Sequence, residues 1–240
     1  MIFQLEICCY NIQSCVIAEQ AGANRIELCA SPAEGGTTPG YGTIKTAKEK
    51  INIPVYPIIR PRGGDFLYND DEFAIMQKDI QLCKSLGCEG VVIGLLQADG
   101  HVDKKRTAML VELAYPMGVT FHRAFDRAAD PLTALQTLID IGCERVLTSG
   151  QRPTAAEGIQ LLKELVTQAG EDIIIMPGAG VRANNIATLA TTGAKEFHSA
   201  ASGLLSTSMQ FFNQQMQEKL DTTIAGKAEI EQMIQTLRNL

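Results

Sequence analysis

The sequence predicts an α/β fold, a single-domain (β/α)8 barrel of the TIM type, and three observations carry that expectation. Short runs rich in β-forming residues alternate eight times with longer helical patterns, at intervals of roughly 20 to 35 residues, as a closed parallel barrel requires. The length of 240 residues is close to the roughly 250 residues that such a barrel uses as one unit. No linker, low-complexity tract or charge block marks a second domain within residues 1–240. An open doubly wound sheet is the rival, and eight regular units without an interrupting domain favour closure over it.

The first strand is expected at residues 3–9 and its helix at 12–21. The second strand, 25–29, leads through a Gly/Thr/Pro loop to a helix at 41–50. The third, 55–60, is followed by the long loop PRGGDFLYND and a helix at 71–86. Strand four (90–95) precedes a helix at 104–115, strand five (119–122) one at 131–141, and strand six (145–149) one at 154–169. Strand seven (173–176) precedes a helix at 183–191, and strand eight is 196–199. The C-terminal segment 204–240 is expected to be helical, near 209–219 and 227–238. Gly22, Gly87, Gly118, Gly142, Gly170 and Gly193 read as left-handed helix ends before a strand. Asp130-Pro131 and Pro153-Thr154 read as helix starts.

Side chains alternate faces along a strand. If Leu5 and Ile7 meet the helices, Glu6 and Cys8 face the lumen, and the same parity sends Glu27, Cys29, Thr120, His122, Glu196 and His198 inward. Arg60 and Thr148, at strand ends, are expected inward as well. A barrel interior is normally filled with branched apolar side chains. Charges there are either buried ion pairs, the plain alternative for Glu6 and Glu196, or functional groups, the better account of Arg60, His122 and His198.

Composition removes several classes of function. A net charge of −6 and a pI near 5.2 argue against nucleic-acid and anionic membrane surfaces. No Trp and 5% aromatic residues leave little for base stacking. No run of about 18 apolar residues is present to span a bilayer. The amino terminus carries Glu6 inside its apolar run and does not read as a signal peptide. Seven cysteines, an odd number without such a signal, suit free thiols in a reducing cytoplasm.

The segments LEICCYN, RIELCASPAEGGTTPGYG, IPVYPIIRPRGGDFLY, VTFHRAFD, RVLTSGQ and PGAGVRANN resemble the CutC family of copper-homeostasis proteins, in order and within about residues 4–203. The resemblance implies a cytoplasmic (β/α)8 barrel linked to copper tolerance and proposed to bind Cu(I). It brings no established reaction with it.

Two functional expectations follow. Cu(I) is soft and prefers thiolate ligands. Cys8 and Cys29 occupy matching places in the short echo LEIC and IELC, on neighbouring strands about 4.8 Å apart, so both thiolates can reach one ion. Cys9, Cys15, Cys83, Cys88 and Cys143 read as buried packing, which is also the plain alternative for Cys8 and Cys29. The second expectation is an isomerase- or lyase-type enzyme on a small phosphorylated or carboxylated metabolite. Arg60, His122, Asp126, His198 and Glu27 would do its chemistry. Arg62, Gly178, Gly180, Ser199 and Ala200 would hold the anion, because barrel phosphate sites commonly use the loops after strands seven and eight. The plain alternative for those glycines is a tight turn. A homodimer is compatible with either expectation.

Overall fold

The computed structural model describes residues 3–240. The strands are β1 (Gln4–Cys9), β2 (Arg25–Leu28), β3 (Val55–Pro57), β4 (Gly90–Ile93), β5 (Gly118–Phe121), β6 (Arg145–Thr148), β7 (Ile174–Pro177) and β8 (Glu196–Ser199). The intervening helices are α1 (Ile12–Gln20), α2 (Tyr41–Lys50), α3 (Asp70–Ser85), α4 (Lys104–Ala114), α5 (Pro131–Ile141), α6 (Ile159–Ala169) and α7 (Ile186–Ala190). Parallel ladders run in the orders β3-β2-β1-β8 and β4-β5-β6-β7. A parallel bridge between Ile58 and Val92 joins the β3 side to β4, and β7 lies against β8. The strands therefore follow one another around a (β/α)8 barrel.

Local chemistry starts the helices where the chain needs them. Asn11 accepts the Ser14 N–H, Asp130 accepts those of Leu132 and Thr133, and Asn69 with Glu72 forms a reciprocal capping box. Between strands and helices lies the main core, in which Ile7, Ile26, Val91, Phe121, Val146 and Phe197 pack outward against residues such as Ile44, Ile80, Leu110 and Leu162. Burying each such side chain contributes about 1.5–3 kcal/mol.

Several expectations are corrected. Gly118 opens β5 and is no helix cap; a Cβ there would meet Glu144 Oε2 at 2.0 Å and Tyr56 Oη at 2.5 Å. Thr154 heads a turn rather than α6, which begins at Ile159. Thr148 shares the outward parity of Val146, because Arg145 and Leu147 are the β6 residues turned to the lumen. The segment 204–240 is helical only over α8 (Lys227–Arg238). Before it, β9 (Ser202–Leu205) and β10 (Thr222–Ala225) form an antiparallel hairpin. Residues 209–219 contain no helix, and Met209, Phe211, Phe212 and Met216 are exposed. A short helix is stable chiefly through an apolar face that it buries. Residues 209–219 are exposed throughout, whereas α8 buries Ile230, Met233 and Leu237. The hairpin's base is held by Asn11, whose amide donates to Thr223 O at 2.7 Å.

The lower interior is polar rather than aliphatic. Arg25 donates to Glu6 and, at 2.7 Å, to Glu196, while Arg145 donates to Glu196 at 3.0 Å and to Glu144. Both guanidinium groups stack on Tyr56, at 5.1 and 5.4 Å from its ring centre. Gly90 makes room for that ring, since a Cβ there would approach Tyr56 Cε2 to 2.2 Å. Burial opposes ionisation of Glu6, but the Arg25 charge and the His198 hydrogen bond hold its carboxyl well below the usual range. The stability contributed by ionised Glu6 is therefore complete above its ordinary value of 4.5 and is lost as the pH falls below it. Glu6→Gln should flatten the acid limb of a stability-versus-pH curve measured by denaturant titration, whereas an unchanged limb would mean that Glu6 is not coupled to folding.

Candidate functional site

The carboxyl ends of the strands surround a cavity of about 270 Å³. The ladder between β1 and β2 places Cys8 level with Glu27, and the ladder between β1 and β8 places Glu6 level with His198. Parity turns all four inward. Cys29 follows β2, one inward position above Glu27, so the two thiols meet on a diagonal with their Sγ atoms 3.6 Å apart. Ligand atoms of Cys8, Glu27 and His198 lie within 4.8 Å of one another, and all three residues are buried.

His198 is fixed from below. Its Nδ1 meets Glu6 Oε1 at 2.7 Å, and its Nε2 is turned toward Glu27 Oε2 at 3.7 Å. A Cβ at Gly178 would reach Leu147 Cδ1 at 2.3 Å and His198 Cβ at 3.4 Å, so that glycine leaves space for the packing beside the imidazole. Burial alone would discharge His198, but the Glu27 charge and hydrogen bonds to Cys8 and Glu6 raise its pKa well above the ordinary value. The Cys29 hydrogen bond, outweighing burial and aided by His198, draws the Cys8 thiol pKa down. Burial, and then the Cys8 partner, drive the Cys29 thiol up, while burial and the Cys8 charge raise Glu27. The two thiols are thus driven in opposite directions, and Cys8 is the more readily ionised of the pair.

The remaining candidate residues divide. Arg60, His122, His198, Glu27, Gly180 and Ala200 all line the cavity. Arg60 is buried and binds the loops, donating to the carbonyls of Glu34, Gly36 and Gly64 at 2.6, 2.7 and 2.9 Å. Arg62 lies outside the cavity, with its guanidinium spent on Asp65, Glu72 and loop carbonyls. Asp126 does not meet His122. It organises the turn after β6, accepting from Thr148 Oγ1, Ser149 N, Gln151 N and Arg123 Nε. Gly178 donates its N–H to Thr148 O, and the Ser199 hydroxyl is occupied by Val181 O and Ala201 N. Neither is available as the anion cradle that the loop positions suggested. Of the seven cysteines only Cys8 lines the cavity; Cys29 lies behind it against the Cys8 sulfur, and the other five are buried and unbridged.

Sequence reasoning missed Arg25 and Arg145, which carry the ion lattice under the site. Arg25 shares the inward parity of Glu27, whereas the expectation of an inward Thr148 turned Arg145 the wrong way. Tyr10 was missed as well. It lines the cavity, and burial, then the charge of Cys8, raises its hydroxyl pKa.

Fold and site together define a (β/α)8 barrel with a buried thiol–imidazole–carboxylate cluster at the carboxyl mouth of its strands. Within that class the chain belongs to the CutC family, whose pattern it matches over residues 3–203. A CutC family protein of Salmonella heidelberg (strain SL476) is 51% identical over 217 residues, covering 90% of this chain and 87% of that protein. The CutC protein of Salmonella typhi is likewise 51% identical over 217 residues, covering 90% of this chain and 83% of that one. The crystal structure of a CutC protein from Streptococcus agalactiae, assigned to copper homeostasis, superposes with a TM-score of 0.79 at 36% identity, covering 83% of this chain and 99% of that one. An aldolase, QR15, superposes with a TM-score of 0.64 at 13% identity, covering 82% and 89% of the two chains. That last similarity concerns the fold alone.

Proposed function

We propose that the chain binds Cu(I) as cargo through Cys8 and Cys29, in the service of cytoplasmic copper homeostasis. The observation that carries this reading is the buried pair of sulfurs 3.6 Å apart, of which that of Cys8 has a His198 ring nitrogen within 4.8 Å. That separation is shorter than two metal–thiolate bonds of about 2.3 Å each, so one ion can be held by both without backbone movement. Thiolates are the ligands that Cu(I) prefers. His198 supports the same reading, because the carboxylate of Glu6 orients the ring from Nδ1 and leaves Nε2 as a third ligand, a common arrangement behind metal-bound histidines. Among the described residues, no helix is long and apolar enough to cross a membrane.

X-ray absorption at the copper edge of the Cu(I)-loaded chain tests the proposal. Two sulfurs and one nitrogen are expected. A shell of nitrogen and oxygen alone would remove the reading. A shell with one sulfur, one nitrogen and one carboxylate oxygen would point instead to Cys8, His198 and Glu27 acting as a site for a harder ion.

A further inference from the structure

Above the thiol pair, the same cavity holds two groups that copper binding does not use. The first is His122, buried at the end of β5. Its Nδ1 accepts the Ala124 N–H at 3.1 Å, which places the ring proton on Nε2. Nε2 is buried and has no hydrogen-bond partner among the described residues. Burial, and then the Arg60 charge, push the pKa of this histidine down to about 3, so the ring is neutral and its Nε2–H is a fixed donor. A buried donor left without an acceptor costs about 1–3 kcal/mol. The ring is also given its place deliberately, since a Cβ at Gly94 would meet His122 Cε1 at 2.2 Å.

The second group is Arg60. Its three hydrogen-bond acceptors are backbone carbonyls, and it makes no ion pair among the described residues although it is 5% exposed. Every other deeply buried guanidinium group here, Arg25 and Arg145, is neutralised by carboxylates. A buried cation without a counter-charge is costly. Arg60 and Phe66 line both the cavity and an outer cleft of about 670 Å³, so the cavity has an open approach. Ile58, Phe66 and Leu147 supply apolar wall.

We infer that this upper part of the cavity is a binding site for a small organic anion, a carboxylate or phosphate ester, whose charge answers Arg60 and whose second oxygen accepts from His122 Nε2–H. At about 30 Å³ per water-sized group, the 270 Å³ cavity admits a ligand of roughly ten heavy atoms. The donor is matched to a carbonyl or hydroxyl oxygen, because a neutral imidazole polarises such a group without delivering a full positive charge. The inference does not depend on copper and is tested on the metal-free chain.

The experiment is a long-range ¹H–¹⁵N spectrum of the full-length protein, with labelled histidine, titrated separately with inorganic phosphate, pyruvate and 2-phosphoglycolate. The expected result is a saturable shift of the His122 Nε2 resonance with pyruvate or 2-phosphoglycolate, and a weaker response to phosphate alone. His122→Leu should weaken binding of the responding probe at least about 10-fold, equivalent to about 1.4 kcal/mol. His122→Gln, which keeps an N–H donor, should restore most of it. Titration of the wild-type chain decides the question even if the Leu variant folds poorly. A His122 resonance unmoved by all three probes, or equal affinities in the Leu and Gln variants, would overturn the inference.

Discussion

The Cys8→Ser/Cys29→Ser double variant is expected to lose at least about 100-fold in Cu(I) affinity, equivalent to about 2.7 kcal/mol. Serine is nearly isosteric with cysteine but offers a hard, protonated oxygen in place of the soft sulfur that Cu(I) selects. The two sulfurs touch, so single replacements should not sum to the double one. Competition with a coloured Cu(I) chelator measures the effect, and an affinity equal to that of the unaltered chain would exclude the pair as ligands. The pH dependence has a definite sign. Binding must remove the proton that burial and Cys8 hold on Cys29, and the one that Glu27, Cys8 and Glu6 hold on His198. Metal therefore competes with protons, and affinity should rise with pH.

Arg25→Met is expected to destabilise the chain by about 3–5 kcal/mol, the cost of breaking a buried ion pair from one side. The loss is not merely that of two hydrogen bonds. It leaves Glu6 with His198 and Glu196 with Arg145 as their remaining partners, in a region where the two carboxylate side chains are 0% and 8% exposed. Arg62→Met is the control. That guanidinium is 37% exposed, and its ion pairs should contribute no more than about 1 kcal/mol. Urea titration of both variants gives the comparison. Equal losses would mean that the charges of the lower interior are solvated rather than buried.

Much of this site could be read from the chain, and the legible part has one cause. Strand parity is a strict period of two, so LEIC, IELC and EFHS announce which of Glu6, Cys8, Glu27 and His198 share an interior. Arg25 and Arg145 obey the same rule but stand at the first residue of a strand, where an element boundary hides parity. Gly90 and Gly118 were signals of close approach, although one of them resembled a helix cap. The loops were harder. Arg62, Asp126 and Ser199 have the chemistry of reactive groups, yet each is consumed by hydrogen bonds that exist only once the chain has reversed on itself. The stretch 209–219 failed for a different reason. Its apolar residues fit a helical pattern, but Met209, Phe211, Phe212 and Met216 stay exposed, so a helix there would gain no burial among the described residues.

The charged lattice of Arg25, Glu196 and Arg145 lies beneath the thiols and, with Tyr56 clamped between the two guanidinium groups, stoppers the barrel at that end. The molecule is thus a cup and not a conduit. The approach to the cavity is the outer cleft that shares Arg60 and Phe66 with it. On the cargo reading proposed above, loading and release would both use that approach, and an anion bound at His122 would obstruct it.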